Sequence, residues 1–97
     1  MKKYIAVDLG ASNGRVIVGD LKGFTVTNRF VTCNEKVGEH IYWDILQIFS
    51  QIKKGIREAF TQFPGEGEIA GISIDTWGVD YGLLDAAGNL IGMPYHY

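Results

Sequence analysis

Two short stretches gather the residue types that can do chemistry. The first is Asp8, followed by the run Gly10-Ala11-Ser12-Asn13-Gly14-Arg15. It brings a carboxylate, a hydroxyl, an amide and a guanidinium around one glycine-rich loop. Carboxylate oxygen and exposed backbone N–H groups together suit a Mg²⁺–nucleotide phosphate group. Gly10 and Gly14 are expected to supply positive φ and close approach to a ligand. The second stretch is Asp75-Thr76-Trp77-Gly78-Val79-Asp80. Asp75 and Asp80 can accept hydrogen bonds from sugar hydroxyls, Trp77 offers a ring to the C–H side of a sugar, and Gly78 admits close backbone approach. Plainer roles stand beside these: a hairpin with a capping Asp8, a core Trp77, and an Asp80 that caps a turn.

Both carboxylates need elements that deliver them to one place. Tyr4–Leu9 is an apolar run that predicts a strand with Asp8 near its end, then a turn over Gly10–Gly14 and a second strand over Arg15–Asp20. Lys22-Gly23 supplies a turn. Phe24–Val31 alternates, with Phe24, Val26 and Phe30 expected on one face and Thr25, Thr27 and Arg29 on the other. Thr32–Tyr42 reads as polar and irregular. Asp44-Ile45-Leu46-Gln47 has the form of a capping box, and Ile45, Ile48, Phe49, Ile52, Ile56 and Phe60 then fall on one helical stripe. Gly55 inside that helix costs about 1 kcal/mol relative to Ala, which predicts close packing against the sheet.

Phe63-Pro64-Gly65 ends the helix, and the stretch to Glu68 reads as a loop. Ile69–Asp75 is a further apolar strand that ends on a carboxylate. Coming after a helix, it can pair parallel with the first strand through a crossover. Asp8 and Asp75 would then share the sheet's carboxyl edge, where ligands bind in open α/β sheets. Tyr81–Asp85 and Leu90–Met93 flank Ala86-Ala87-Gly88-Asn89 as a closing hairpin.

Composition narrows the function classes. The 97 residues suit one small domain, with 46% hydrophobic residues and a formal charge of −2. Nine basic residues against eleven acidic ones leave no excess to grip a nucleic-acid backbone. No window approaches the roughly 20 apolar residues of a membrane span. The basic start Met1-Lys2-Lys3 is not a signal peptide, because Asp8 interrupts the apolar region. The single cysteine, Cys33, excludes an internal disulfide and fits a reducing, cytoplasmic compartment. Two isolated histidines, His40 and His96, argue against a zinc site.

The expected order is βββαβ followed by a hairpin, an α/β sheet with a parallel centre and an antiparallel edge. This is the opening of an RNase H-like (actin-like ATPase) fold. Strands Tyr4–Leu9 and Ile69–Asp75 read as central and apolar on both faces, and such strands are normally covered on both sides. One helix cannot do that. The chain therefore reads as a piece of something longer, an incomplete first domain whose bare sheet face should self-associate.

Asp8-Leu9-Gly10 resembles the first phosphate loop of the actin/hexokinase superfamily. A closer resemblance is carried by Asp8–Arg15, Tyr42-Trp43-Asp44-Ile45, Ile74–Asp80, Leu83-Leu84-Asp85 and Gly92-Met93-Pro94-Tyr95-His96-Tyr97. In that order and spacing they look like the N-terminal segment of the FGGY carbohydrate kinases, in particular of members that phosphorylate L-rhamnulose on its 1-hydroxyl with ATP. Asn13 departs from the family's usual second Ser. The resemblance implies that Ala11–Arg15 forms the ATP phosphate loop, that Asp8 engages Mg²⁺ through water, and that Thr76–Gly78 lines the sugar pocket. It also implies that the catalytic aspartate, the adenine site and the second domain lie beyond Tyr97. Two rival classes are a two-metal nuclease on the same fold, with Asp8 and Asp75 as ligands, and a non-enzymatic actin-like or heat-shock-ATPase-like nucleotide-binding module.

Overall fold

The computed structural model describes residues 2–64 and 68–97. Nine elements follow in order: β1 (Lys3–Leu9), β2 (Asn13–Asp20), β3 (Gly23–Val31), β4 (Asn34–Val37), β5 (His40–Trp43), α1 (Ile45–Gln62), β6 (Ile69–Asp75), β7 (Leu83–Leu84) and β8 (Leu90–Ile91). The main sheet has the order β3-β2-β1-β6. β1 and β2 are antiparallel, as are β2 and β3, whereas β1 and β6 run parallel. The fold is α/β with a mixed sheet and one helix, and the expected parallel return to the first strand is present.

Ile5, Val7, Val16, Val18 and Phe30 point from the sheet into a core closed by Ile48, Ile52 and Ala59 of α1. The helix begins where expected, with Asp44 as N-cap accepting from the Gln47 amide at 3.2 Å. The reciprocal half of the capping box is replaced: the Asp44 amide donates to the Cys33 carbonyl at 2.9 Å. The buried stripe runs through Ile48, Ile52, Gly55 and Ala59, so Phe49 and Phe60 fall outside it and are exposed. Close packing at Gly55 rotates the stripe, because the helix meets the sheet on its smallest residues. A Cβ on Gly55 would stand 2.5 Å from Val16 Cγ2. The helix ends at Gln62, with the Phe63 amide returning to the Ala59 carbonyl. The expected loop between Pro64 and Glu68 falls mainly on residues outside those described.

Four expectations need correction. The alternation of β3 is broken by a bulge: Val16 pairs with Asn28 and Ile17 with Val26, leaving Thr27 as an extra residue. Phe30 therefore faces the core while Phe24 stays exposed, although their spacing is even. Thr27 Oγ1 uses the bulge to donate to the Gly55 carbonyl at 2.8 Å, and Asn28 Nδ2 donates to the Gln51 carbonyl at 2.8 Å.

The polar stretch after Thr32 is not irregular. β4 and β5 pair Val37 with His40 across a two-residue turn that starts on Gly38, at φ +63. Its exposed polar strand carries no apolar alternation to announce it. The closing hairpin is shorter than expected, two residues on each side. Finally, β6 lies at an edge of the sheet among the described residues rather than at its centre. Ile72 and Ile74 share a face with Ile5 and Val7 but sit beyond the helix, and Ile74 is 63% exposed.

Two carboxylates organise turns. Asp20 accepts from the Lys22 and Gly23 amides at 2.7 and 3.2 Å and from Lys3 Nζ at 3.2 Å. Asp85 accepts from the Ala87 and Asn89 amides, both at 2.9 Å, around Gly88 at φ +86. The Asn89 amide above all holds the Asp85 carboxyl below its usual range.

The helix contact predicts that Gly55→Ala lowers stability despite alanine's better helix propensity. Overpacking against Val16 should cost about 1–3 kcal/mol, more than the roughly 1 kcal/mol that propensity returns. Urea unfolding of the wild-type and variant chains measures the difference, and a more stable variant would contradict the contact. For Asp85, the folded-state pKa is depressed, so its contribution is present above the unfolded value near 3.9 and is lost as pH falls through the folded value. Amide exchange at Ala87 and Asn89 should accelerate on that acid side relative to the intrinsic rate, and Asp85→Asn should abolish the dependence.

Candidate functional site

The parallel register sets Asp8 directly beside Asp75. Both lie at the carboxyl ends of their strands, on the sheet face opposite α1, with Tyr4 and Ala6 on the same face of β1. Arg15 is the partner of Asp8 on the other side, and its Nε donates to Asp8 Oδ2 at 3.0 Å. Asp8 and Arg15 are each half-buried, a little over a third of each side chain being exposed. Two residues assigned separately from sequence, one to a metal and one to phosphate, are thus joined as an ion pair. Among the described residues Asp8 Oδ1 has no hydrogen-bond partner.

The loop between β1 and β2 is shorter than its sequence suggests, because β2 already starts at Asn13. The Gly10 amide donates to the Asn13 carbonyl at 2.8 Å and closes the turn. Neither Gly10 nor Gly14 takes positive φ, contrary to the expectation. Gly14 is required for another reason: a Cβ there would stand 2.6 Å from the Phe30 ring. The loop is held from outside by Thr32, which the sequence did not single out. Its amide donates to the Ser12 carbonyl and its hydroxyl to the Gly10 carbonyl, each at 3.0 Å. Thr32 is 2% exposed, so this clamp is part of the core. With both carbonyls turned toward Thr32, the amides of Ala11 and Ser12 donate to no other described residue. A turn fixed in this way offers N–H groups to an anion at no further ordering cost.

The second stretch leaves β6 at Asp75 and turns over α1's N-terminal end. Thr76 and Gly78 are exposed, while Trp77 is half-buried and packs on the core. Its ring lies 4.5 Å from that of Trp43, centroid to centroid, tilted by 33°. Asp80 Oδ2 accepts from the indole N–H groups of both Trp43 and Trp77, and from the Tyr97 amide at 3.4 Å. One Asp80 oxygen is thus taken up by two indoles and a distant amide rather than by a local turn, while Trp77 takes the core role. Trp43, buried at the end of β5, sits at the centre of this cluster, with His96 on its ring at 4.3 Å. The final segment is tied along β5 by the Trp43 amide to Pro94 and the His96 amide to Ile41, at 2.9 and 2.8 Å. Tyr95 stacks on Tyr42 at 5.1 Å, and partial burial together with the Tyr95 phenol holds the Tyr42 hydroxyl above its ordinary pKa. The sequence signal for this aromatic group was the density of Trp, Tyr and His in residues 40–43 and 95–97.

Leu9, Thr76, Trp77, Asp80 and Pro94 border a small cleft of about 190 Å³ at the same sheet edge. No group of three or more His, Cys, Asp or Glu side chains converges among the described residues. None of the described helices is long and apolar enough to cross a membrane.

No family model matches the chain. A rhamnulokinase from Bacteroides thetaiotaomicron is 43% identical over 100 aligned residues, which cover 99% of this chain and 20% of that protein. The chain thus spans about one fifth of the length of this curated relative. The solved structure of a ligand-bound xylulose kinase from Lactobacillus acidophilus superposes on 98% of the chain and 19% of its own length, with a TM-score of 0.69 at 17% identity. Over essentially its whole length the chain is thus similar in sequence to one fifth of a rhamnulokinase of the FGGY carbohydrate kinases, and it shares its fold with part of a xylulose kinase.

Proposed function

We propose that this chain is the N-terminal part of the first, RNase H-like domain of an ATP-dependent sugar kinase, which transfers phosphate to the 1-hydroxyl of L-rhamnulose. The observation that carries the reading is the pairing of Asp8 with Asp75 at one sheet edge, with the clamped loop beside one and the Trp77 block following the other. Phosphate and sugar elements then meet across a single strand spacing of about 4.8 Å. Such proximity is what in-line phosphoryl transfer requires. The 43% identity to a rhamnulokinase supports the choice of sugar.

In this reading the amides of Ala11 and Ser12, with the side chains of Ser12 and Asn13, hold phosphate oxygens of ATP, and Arg15 adds its charge from the flank of Asp8. The donor set fits Mg²⁺: the free Oδ1 of Asp8 and the exposed carboxylate of Asp75 lie on one open face, and Mg²⁺ prefers one or two carboxylates with several waters. Bound there, the cation would neutralise charge on the transferring phosphate. Thr76, Trp77 and Gly78 present hydroxyl, ring and backbone to the sugar. Adjacent carboxylates also suit a two-metal nuclease, but the acidic balance of the chain and a Gly-Ala-Ser-Asn-Gly loop suited to phosphate oxygens favour the kinase.

The remainder of the parent polypeptide would cover the bare face at Tyr4, Ala6 and Ile17 and the exposed Ile72 and Ile74, and would supply the catalytic base. The 97-residue chain by itself is therefore inactive, works in the parent as a cytoplasmic enzyme segment, and self-associates when isolated. A concentration series in sedimentation velocity should show oligomers of the isolated chain; a monomer throughout would count against the uncovered face.

Coupled measurement of ADP formation tests the activity. The intact protein that carries this segment should turn over L-rhamnulose in preference to D-xylulose, and the 97-residue chain should not exceed a no-protein control. Asp8→Asn in the intact protein should lower turnover with MgATP by at least about 10²-fold and leave sugar affinity nearly unchanged. Wild-type turnover in that variant, with an unaltered Mg²⁺ requirement, would remove Asp8 from the phosphate site.

A further inference from the structure

The sequence assigned Asp80 to the sugar as an acceptor, yet its Oδ2 already receives three donors from three separate segments. Trp43 Nε1 comes from the end of β5, Trp77 Nε1 from the turn after β6 at 3.1 Å, and the Tyr97 amide from the last residue at 3.4 Å. A carboxylate oxygen offers about two lone-pair sites, so Oδ2 has no capacity left for a hydroxyl. The two indole bonds are charge-assisted, which makes them stronger than neutral ones. Both rings are also in contact, and the other neighbour of Trp43 is His96 at 4.3 Å. Trp43 is 2% exposed and forms part of the cleft's floor beneath Trp77. Trp77 borders that cleft together with Thr76 and Leu9.

We propose that Asp80 and Trp43 are positioning residues for the sugar: the carboxylate locks the Trp77 indole edge-on, Trp43 backs its ring, and the Thr76–Gly78 backbone is thereby fixed at the cleft. This rests on the proposed sugar-kinase reading for what enters the cleft, but the lock itself does not. Without the carboxylate, two partly buried indole N–H groups lose their acceptor, and the Trp77 ring regains rotamers that the bound sugar must then restrict. The effect is specific to the sugar, because the clamped loop at Gly10–Asn13 is held by Thr32 and shares none of these bonds.

The lock is tested on the 97-residue chain by the indole ¹H–¹⁵N resonances, of which it has two. Both should lie downfield and exchange slowly with solvent, and both should move upfield in Asp80→Leu. If only one moves, or neither, the shared acceptor is refuted whatever the protein's activity. Positioning is tested in the intact protein. Asp80→Leu should raise KM for L-rhamnulose at least about tenfold while KM for MgATP stays within about twofold. Asp80→Asn, which keeps an oxygen acceptor, should recover most of the loss, and Trp43→Phe, which keeps the ring but removes the N–H, should raise the sugar KM in the same direction. Trp43→Phe combined with Asp80→Leu should be less than additive. A silent Trp43→Phe beside a damaging Asp80→Asn would mean direct sugar contact by Asp80 and overturn the proposal. Absence of any sugar phosphorylation by the wild-type intact protein would instead reject the kinase reading, leaving the resonance result to stand alone.

Discussion

At Gly55 the backbone of α1 rests against Val16 with no side chain of its own between them, and the Thr27 hydroxyl reaches across to the Gly55 carbonyl. This contact fixes both the height of the helix above the sheet and its position along β2 and β3. An 18-residue helix is about 27 Å long, so pinning its middle determines where its ends fall. The N-terminal end arrives over the carboxyl end of β1, carrying Asp44 as the cap and Trp43 immediately before it. Trp43 then becomes the support on which the turn after β6 and the final segment both settle. The bulge at Thr27 is part of the same arrangement, since the adjacent Thr27 and Asn28 of an unbroken β3 would point to opposite faces and could not both reach the helix.

The two halves of the candidate site are held by different physics. Around the first loop, order comes from backbone carbonyls taken up by one buried threonine, so the side chains of Ser12 and Asn13 stay exposed. Around Trp77 it comes from ring contacts and one shared carboxylate, which places polar bonds inside an apolar group. A polar site on a rigid backbone suits an anion of fixed shape, and an aromatic wall suits a ligand with both C–H and hydroxyl faces.

Much of this was legible from residue patterns. The strand ends near Asp8 and at Asp75, the parallel return, the cap at Asp44 and the tight contact at Gly55 all follow from local signals that agree with one another. What escaped the sequence has physical causes. A bulge changes the parity of a strand without changing its composition, so Phe24 and Phe30 look alike in sequence and differ in burial. The β4–β5 pair is polar and exposed, held by a Gly38 turn rather than by apolar alternation. Thr32 reads as an ordinary loop residue, because its role depends on carbonyls some twenty positions away. Gly10 and Gly14 suggest dihedral freedom in the sequence, whereas Gly14 serves by leaving room for a ring. Asp80 reads as a free acceptor because a sequence does not reveal which donors already occupy its Oδ2.

The parallel pairing of β1 with β6 also sets an order of assembly. β1, β2 and β3 join through tight turns and can pair as soon as they leave the ribosome, whereas β6 must close a loop of about 60 residues to reach the other side of β1. At a synthesis rate of about 5–20 residues per second, the outer edge of β1 stays unpaired for several seconds. During that interval its amides and carbonyls form a template open to any extended chain nearby. The strand is short and bracketed by charge, with Lys2 and Lys3 at one end and Asp8 at the other. Those residues act as gatekeepers for the nascent chain. The carboxylate proposed for the finished site thus guards an open strand edge before any site exists.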